Sequence, residues 1–502
     1  MAGNGDFDEG EDSFDDCGCD RLCPGDMLYP GPDEGEGDEQ FQAIYLAGFQ
    51  SNRPMSGVRG ADQGFVGEGD GLWARAVAMQ QGNTRIVLVS IDTVGYFYDE
   101  VLAIRELLAD QDLDLLVVSS THTHEGPDTM GLWGSSLAES GFNPDYRAQL
   151  RMTIAAAASE AIENLREVGT MTVGRGDAST TNDDKGILNV SNDLRDPFIV
   201  DEAVDVLYFE DTQGNPIVSM VNFASHPESM ADEITLATSD YVHALRKTME
   251  SGSQWETAPG MAGLDAPCVF FSGALGGMMS PLGVQVTNPD GDTYGGGYSW
   301  EKTDSIGQLL GEVGLQAVAN GEVVDDPQLQ FGAQTFLAEV INDAFKLAFG
   351  QGILDREVVM MNNKQYITTE MVVVELGPVR MLTIPGEMLP ELAVGGYDQS
   401  QMFTDVAEFI DPNNSNPPMV ENAPAGPYLK ERMGSQYTWL LGLGNDELGY
   451  IIPDYDYVLA DTLPFLNEAE GDHYEETNSL GPHIAGLVDE QANFLVEFID
   501  WL

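Results

Sequence analysis

The chain has 502 residues, 42% of them hydrophobic, enough to enclose a large core. It carries 84 acidic residues against 21 basic ones, and its formal charge is -63 at pH 7. Such a surface repels nucleic acid and anionic membranes, so neither is expected as a partner, and dissolved salt would screen its self-repulsion.

Residues 1–40 are rich in Gly, Asp and Glu and read as an acidic tail, with a globular domain expected over 41–502. Cys17, Cys19 and Cys23 cluster in the tail without a histidine, a poor zinc motif, and are expected to be disulfide-tied outside the cytoplasm. Cys268 reads as a core residue. No apolar run reaches the roughly 18 residues that span a bilayer, and no apolar leader segment is visible. The expected location is secreted or extracytoplasmic, with any export signal already removed.

Apolar, β-branched runs predict strands at Thr84–Ile91, Leu113–Ser119, Thr170–Val173, Ala203–Phe209, Ile217–Val221, Cys268–Phe271, Met371–Leu376 and Val379–Ile384. The last two flank Gly377-Pro378 and predict a hairpin. Helical periodicity predicts helices at Tyr146–Arg166, Tyr241–Met249, Trp300–Ala319 and His483–Leu502. The mixture predicts an α/β (α+β) domain with a large mixed central β-sheet flanked by helices. Gly/Pro/Asn-rich loops at Thr287–Ser299 and Asp411–Pro427 are long enough to line or cover a site.

Three of the six histidines fall in two short segments, Thr121-His122-Thr123-His124-Glu125-Gly126-Pro127 and Asn222-Phe223-Ala224-Ser225-His226-Pro227. Each follows a strand-like run, where α/β proteins place ligands and catalytic groups. Zinc favours imidazole and carboxylate, so these histidines are candidate ligands. The spacing of His122 and His124 also occurs in metallo-β-lactamases and barrel amidohydrolases. The former expect Asp and His where Gly126 and Pro127 stand; the latter need further strand-end histidines. Glu387, in Ile384-Pro385-Gly386-Glu387, is a candidate carboxylate at the end of another apolar strand.

Thr-His-Thr-His-x-Gly-Pro, Asn-Phe-Ala-Ser-His-Pro-x-Ser-Met and Pro-Gly-Glu resemble the signatures of neutral/alkaline non-lysosomal ceramidases. Leu72-Trp73-Ala74-Arg75-Ala76, Gly277-Met278-Met279-Ser280-Pro281, Leu448-Gly449-Tyr450-Ile451, His473-Tyr474-Glu475 and Leu480-Gly481-Pro482-His483 resemble further family segments in the same order. The resemblance spans about residues 41–495. It implies a zinc ion (Zn2+) held by His122, His226, Glu387 and Tyr450 at strand carboxyl ends. It also implies His124 facing the substrate, Tyr474 near the developing oxyanion and Ser280 near the scissile group. The implied reaction is hydrolysis of the N-acyl amide of a ceramide-like or other small amphipathic substrate. Alternatives are an esterase or amidase of broader acyl specificity on the same site, or a non-catalytic acidic binding protein. Ser280 lies outside a Gly-x-Ser-x-Gly elbow, which argues against a serine hydrolase.

Met278 replaces the family's Asp, Ile451-Ile452-Pro453 replaces its Thr-Thr, and the chain stops at Leu502 without the family's immunoglobulin-like domain. These departures imply drift in specificity, with Met278, Met279, Ile451 and Ile452 expected to line an apolar site.

Overall fold

The computed structural model describes residues 43–60, 70–400, 408–471 and 473–502. The acidic tail with Cys17, Cys19 and Cys23 lies outside these residues.

Three sheets carry the architecture. In the first, β1 (Ala74–Gln81) pairs antiparallel with β2 (Thr84–Ile91), and β2 pairs parallel with β3 (Leu115–Ser120) through helix α1 (Tyr98–Leu107). Helix α2 (Pro144–Glu163), capped by the Asn143 side chain, packs on its outer face. The second sheet contains β4 (Val168–Asp177), β5 (Ala203–Asp211), β6 (Pro216–Phe223), β7 (Cys268–Ser272) and β8 (Glu322–Val324), in the order β7-β6-β5-β4-β8. Helices α3 (Tyr241–Ser251) and α4 (Trp300–Ala319) cover one face. The third contains β9 (Leu329–Glu339), β10 (Val359–Met361), β11 (Lys364–Leu376), β12 (Val379–Thr383) and β13 (Tyr437–Leu441). Its order is β9-β11-β12-β13, with β10 also on β11. Helix α5 (Asp343–Gln351) lies between β9 and β10 in the chain. Two short helices, α6 (Pro390–Val394) and α7 (Leu429–Arg432), follow β12 and precede β13, and α8 (Ile484–Trp501) backs this sheet.

The mixed α/β class matches the sequence expectation, but the strands divide among several sheets instead of one. The three main sheets share an inner core that includes Leu88, Val117, Leu207, Met220, Phe271, Val372, Met381 and Trp439. Strand β2 explains why its sequence is apolar without alternation. Ile86 and Leu88 face this inner core, while Val87, Val89 and Ile91 face the helices outside. A strand buried on both faces needs apolar side chains on both.

Polar side chains join the sheets at one end. Asn222 Nδ2 donates to Phe271 O, Ser272 O and Leu440 O at 3.0, 3.2 and 2.9 Å. Ser119 Oγ donates to Gly442 O, and Ser272 Oγ to Thr121 O, both at 2.8 Å. These groups are buried and hydrogen-bonded, so they fix the three strand ends relative to one another.

Candidate metal and catalytic site

The junction of the sheets is also where the site lies. His122 and His124 follow β3, His226 follows β6, and Glu387 follows β12, so each sheet contributes one strand end. The His122–His226 ring centroids are 4.7 Å apart, His122–His124 4.8 Å, and His124–His226 5.4 Å. All four side chains are buried.

The backbone sets the histidine tautomers. His122 Nδ1 pairs with Val94 O, and His226 Nδ1 lies 2.8 Å from Met279 O. A carbonyl only accepts, so each Nδ1 carries a proton and each Nε2 is the ring atom left to face the site. Those Nε2 atoms lie 3.3 and 3.2 Å from Glu387 Oε2. Ligand atoms of His122, His124 and His226 fall within 4.8 Å of one another, as do those of His122, Glu387 and Glu447. His122 has φ of 70°, a left-handed conformation that a side chain adopts at a cost, and it turns the ring inward at the end of β3.

Electrostatics follow from enclosure. Burial opposes ionisation of Glu387, but His122 and His226 outweigh it and hold its carboxyl well below the usual range. Burial likewise opposes a charged His122, yet Glu387 raises its pKa. Burial lowers His124 to about 4. Glu228 is held at about 2 against its burial, by His124 beside it.

His124 stands apart from this exchange. Its Nδ1 is 3.1 Å from Glu228 Oε2 without a hydrogen-bonding angle, and its Nε2 has no protein partner. Gly48 makes the ring's position possible. With φ of 102°, it would place a Cβ 2.3 Å from His124 Cγ, so a side chain there collides with the imidazole.

Tyr450 is placed by pairing: Glu387 and Tyr450 are register partners in a two-residue parallel bridge. Its hydroxyl points at Met278 Sδ, 3.4 Å away, and its ring meets Tyr474 edge-on at 6.1 Å. Ser280 is fully buried and donates its hydroxyl to Glu228 Oε1. It does not line the cleft that reaches His122, whereas His124, Glu387, Tyr450 and Tyr474 do. That cleft is walled by Val94, Phe97, Met130, Leu132, Trp133 and Phe345. Met279, Ile451 and Ile452, expected as the apolar lining, are enclosed in the core instead, because each lies on a short strand or its flank facing inward. Neither Gly/Pro/Asn-rich loop lines the cleft. Asn416 of the second lies 3.1 Å from His473 Nε2.

Sequence reasoning missed Glu228, Glu447 and the buried Asp92–Arg246 pair. Arg246 donates to Asp92 at 2.8 and 2.9 Å, and Asp92 accepts from Thr121 at 3.1 Å, which braces the segment carrying His122. Glu228 had a signal, two positions beyond His226 in a buried motif. Glu447 had none among 84 acidic residues.

Residues 46–282 match the model of the neutral/alkaline non-lysosomal ceramidase amino-terminal region, the family whose signatures the motifs resemble. The fold is that of a crystal structure of neutral ceramidase from Pseudomonas aeruginosa. It superposes with a TM-score of 0.58 at 15% sequence identity, covering 90% of this chain and 71% of that one. A ceramidase complexed with C2 gives the same TM-score and identity, covering 90% of this chain and 72% of that one. Among the described residues no helix is long and apolar enough to cross a membrane.

Proposed function

We propose that this chain is a zinc-dependent hydrolase that cleaves the N-acyl amide of a ceramide-like or other amphipathic substrate. One observation carries the reading: the Nε2 atoms of His122 and His226 both face Glu387 at the inner end of an apolar cleft.

The donors fit the metal. Two neutral imidazoles and one carboxylate are a common catalytic zinc set, and both rings are oriented by backbone carbonyls. Tyr450, paired in register with Glu387, is the fourth donor that the family resemblance implies. Zinc bound there supplies activated water near neutral pH and a Lewis acid for the acyl oxygen.

The chain's own groups have separate tasks. His124 Nε2, free of protein partners, takes a proton from the attacking water and passes it to the leaving amine, while Glu228 and Gly48 fix its ring. The Tyr474 hydroxyl, at the cleft, donates to the developing oxyanion. Val94, Phe97, Met130, Leu132 and Trp133 receive apolar chain, at about 0.8 kcal/mol per buried methylene. The negative surface disfavours anionic head groups. The same arrangement would cleave simple acyl esters, the second reading.

Elemental analysis should find one zinc per chain, and a panel of neutral N-acyl amides and esters should be hydrolysed. His226→Ala should lose both metal and turnover. A variant retaining full zinc and full turnover would remove the assignment. A preference for long-chain ceramide by orders of magnitude in kcat/KM would restore strict ceramidase specificity.

A further inference from the structure

Glu447 is a buried carboxylate that the mechanism above does not use. Its Oε1 accepts from the Gly449 amide at 2.7 Å, and its Oε2 has no protein partner. One carboxylate oxygen of Glu447 falls in a group with His122 and Glu387 whose ligand atoms are all within 4.8 Å of one another. Two carboxylates therefore face one imidazole in an enclosed space, and among the described residues neither is paired with a lysine or arginine. A buried carboxylate oxygen without a donor is costly, and a cation between the two resolves the cost.

The packing holds Glu447 in this pose. Gly95 leaves room for its stem: a Cβ there would sit 2.8 Å from Glu447 Cγ and 2.7 Å from Met130 Sδ. The Gly449 amide fixes one oxygen and turns the other inward. Zinc–oxygen distances of about 2.0–2.2 Å place two donors of one ion at most about 4.4 Å apart. The ligand atoms of His122, Glu387 and Glu447, all within 4.8 Å of one another, come near that spacing. The Tyr450 hydroxyl, by contrast, is directed at Met278 Sδ.

We propose that Glu447 is a protein ligand of the metal, completing a set of His122, His226, Glu387 and Glu447. The inference rests on the metal-centre reading above. Two carboxylates then neutralise a dication, and Tyr450 serves as a wall of the cleft instead of a donor.

The test uses the full chain stripped with a chelator and reconstituted with zinc or cobalt(II). Metal per chain, zinc affinity by competition and the cobalt d–d spectrum are recorded for wild type, E447Q, E447D, Y450F and H226A. Glutamine keeps an acceptor for the Gly449 amide, so apo E447Q should melt within a few degrees of apo wild type. Its zinc affinity should fall about 100-fold or more, its cobalt spectrum should change, and its zinc-induced rise in Tm should largely vanish. E447D should recover part of the affinity, and Y450F should stay within a few-fold of wild type. Should apo E447Q fail to fold, E447D decides: a wild-type spectrum and affinity there would overturn the proposal. Unchanged zinc affinity and spectrum in E447Q, with H226A losing metal, would overturn this inference and leave the metal centre standing. A wild-type chain that takes up no metal would overturn both.

Discussion

The Tyr474 side chain is 46% exposed, yet its ring packs edge-on against buried Tyr450. Burial of the ring, and Glu387 after it, push the phenol pKa upward, so the hydroxyl keeps its proton at neutral pH and is available as a donor. Tyr474→Phe should therefore keep the metal and lose about 100-fold in kcat, the usual effect of removing one oxyanion donor. Unchanged turnover, or loss of zinc along with activity, would show that the hydroxyl acts elsewhere. At this scale the sequence was legible where a residue type is rare. Three histidines of six, each after an apolar strand, pointed to one place, and they do converge. It was illegible where the type is common. Glu447 is one of 84 acidic residues, and only enclosure distinguishes it from the solvated majority.

Among the elements, the turn that carries Tyr474 depends on a distant arginine. Arg195 is 3% exposed and donates to Asp456 at 2.8 Å, Glu475 at 2.6 Å and Glu476 at 3.0 Å; Glu476 also holds His473 at 2.9 Å. One buried cation thus ties residues 454–456 to the helical turn Glu475–Asn478. Arg195→Met would leave buried Asp456 and Glu475 uncompensated and Glu476 with His473 alone, and about 3–5 kcal/mol should be lost in chemical denaturation. Metal content should be retained while kcat falls with the misplaced Tyr474. A stability loss under 1 kcal/mol would mean that the cluster relaxes into water. Nearby Glu391 on α6 supplies a pH signature. Burial raises its pKa to about 8, helped by Asp456 and Glu475 and opposed by Arg195. The folded chain therefore holds a proton that the unfolded chain releases near pH 4.5. Its stabilising effect is complete below that pH and is lost as pH rises to about 8, by at most about 1.4 kcal/mol per unit. Urea melts from pH 5 to 8 should show this slope in wild type and a flatter one in Glu391→Gln; parallel slopes would exclude the assignment. Buried apolar elements were the legible ones: β2 and α4 match their predicted bounds, and the Gly377-Pro378 hairpin forms with Leu376 opposite Val379. Helix α5 went unread because it spans only the short segment Asp343–Gln351, and none of its residues is fully buried. Its caps, Asn342 and left-handed Gly352, are its clearest marks.

For the whole molecule, strand content gave the class but not the partition into three sheets. Neighbours such as β12 and β13 are separated by a long intervening segment, and pairing at that distance is decided by packing that local periodicity does not encode. Net charge is legible in full, and it leads to the last prediction. The basic residues are largely committed: Arg195, Arg246 and Arg356 are buried in ion pairs, and Arg59, Arg75, Arg105, Arg147, Arg151, Arg175 and Arg380 pair with carboxylates as well. The remaining surface is almost wholly negative. Two like charges about 10 Å apart in water repel by about 0.4 kcal/mol, a small term that is summed over dozens of neighbours. Salt shortens the screening length from about 10 Å at 0.1 M to about 3 Å at 1 M, which removes most of that sum. Enclosed pairs such as Arg246–Asp92, 1% and 0% exposed, are screened far less, so the loss of attraction should not offset the relief of repulsion. Raising sodium chloride from 0.05 to 1 M should therefore increase Tm by several degrees, and most of the gain should arrive below 0.5 M, where the screening length changes fastest. A Tm that stays flat or falls across that range would mean that exposed ion pairs, and not surface repulsion, dominate the electrostatics of this fold.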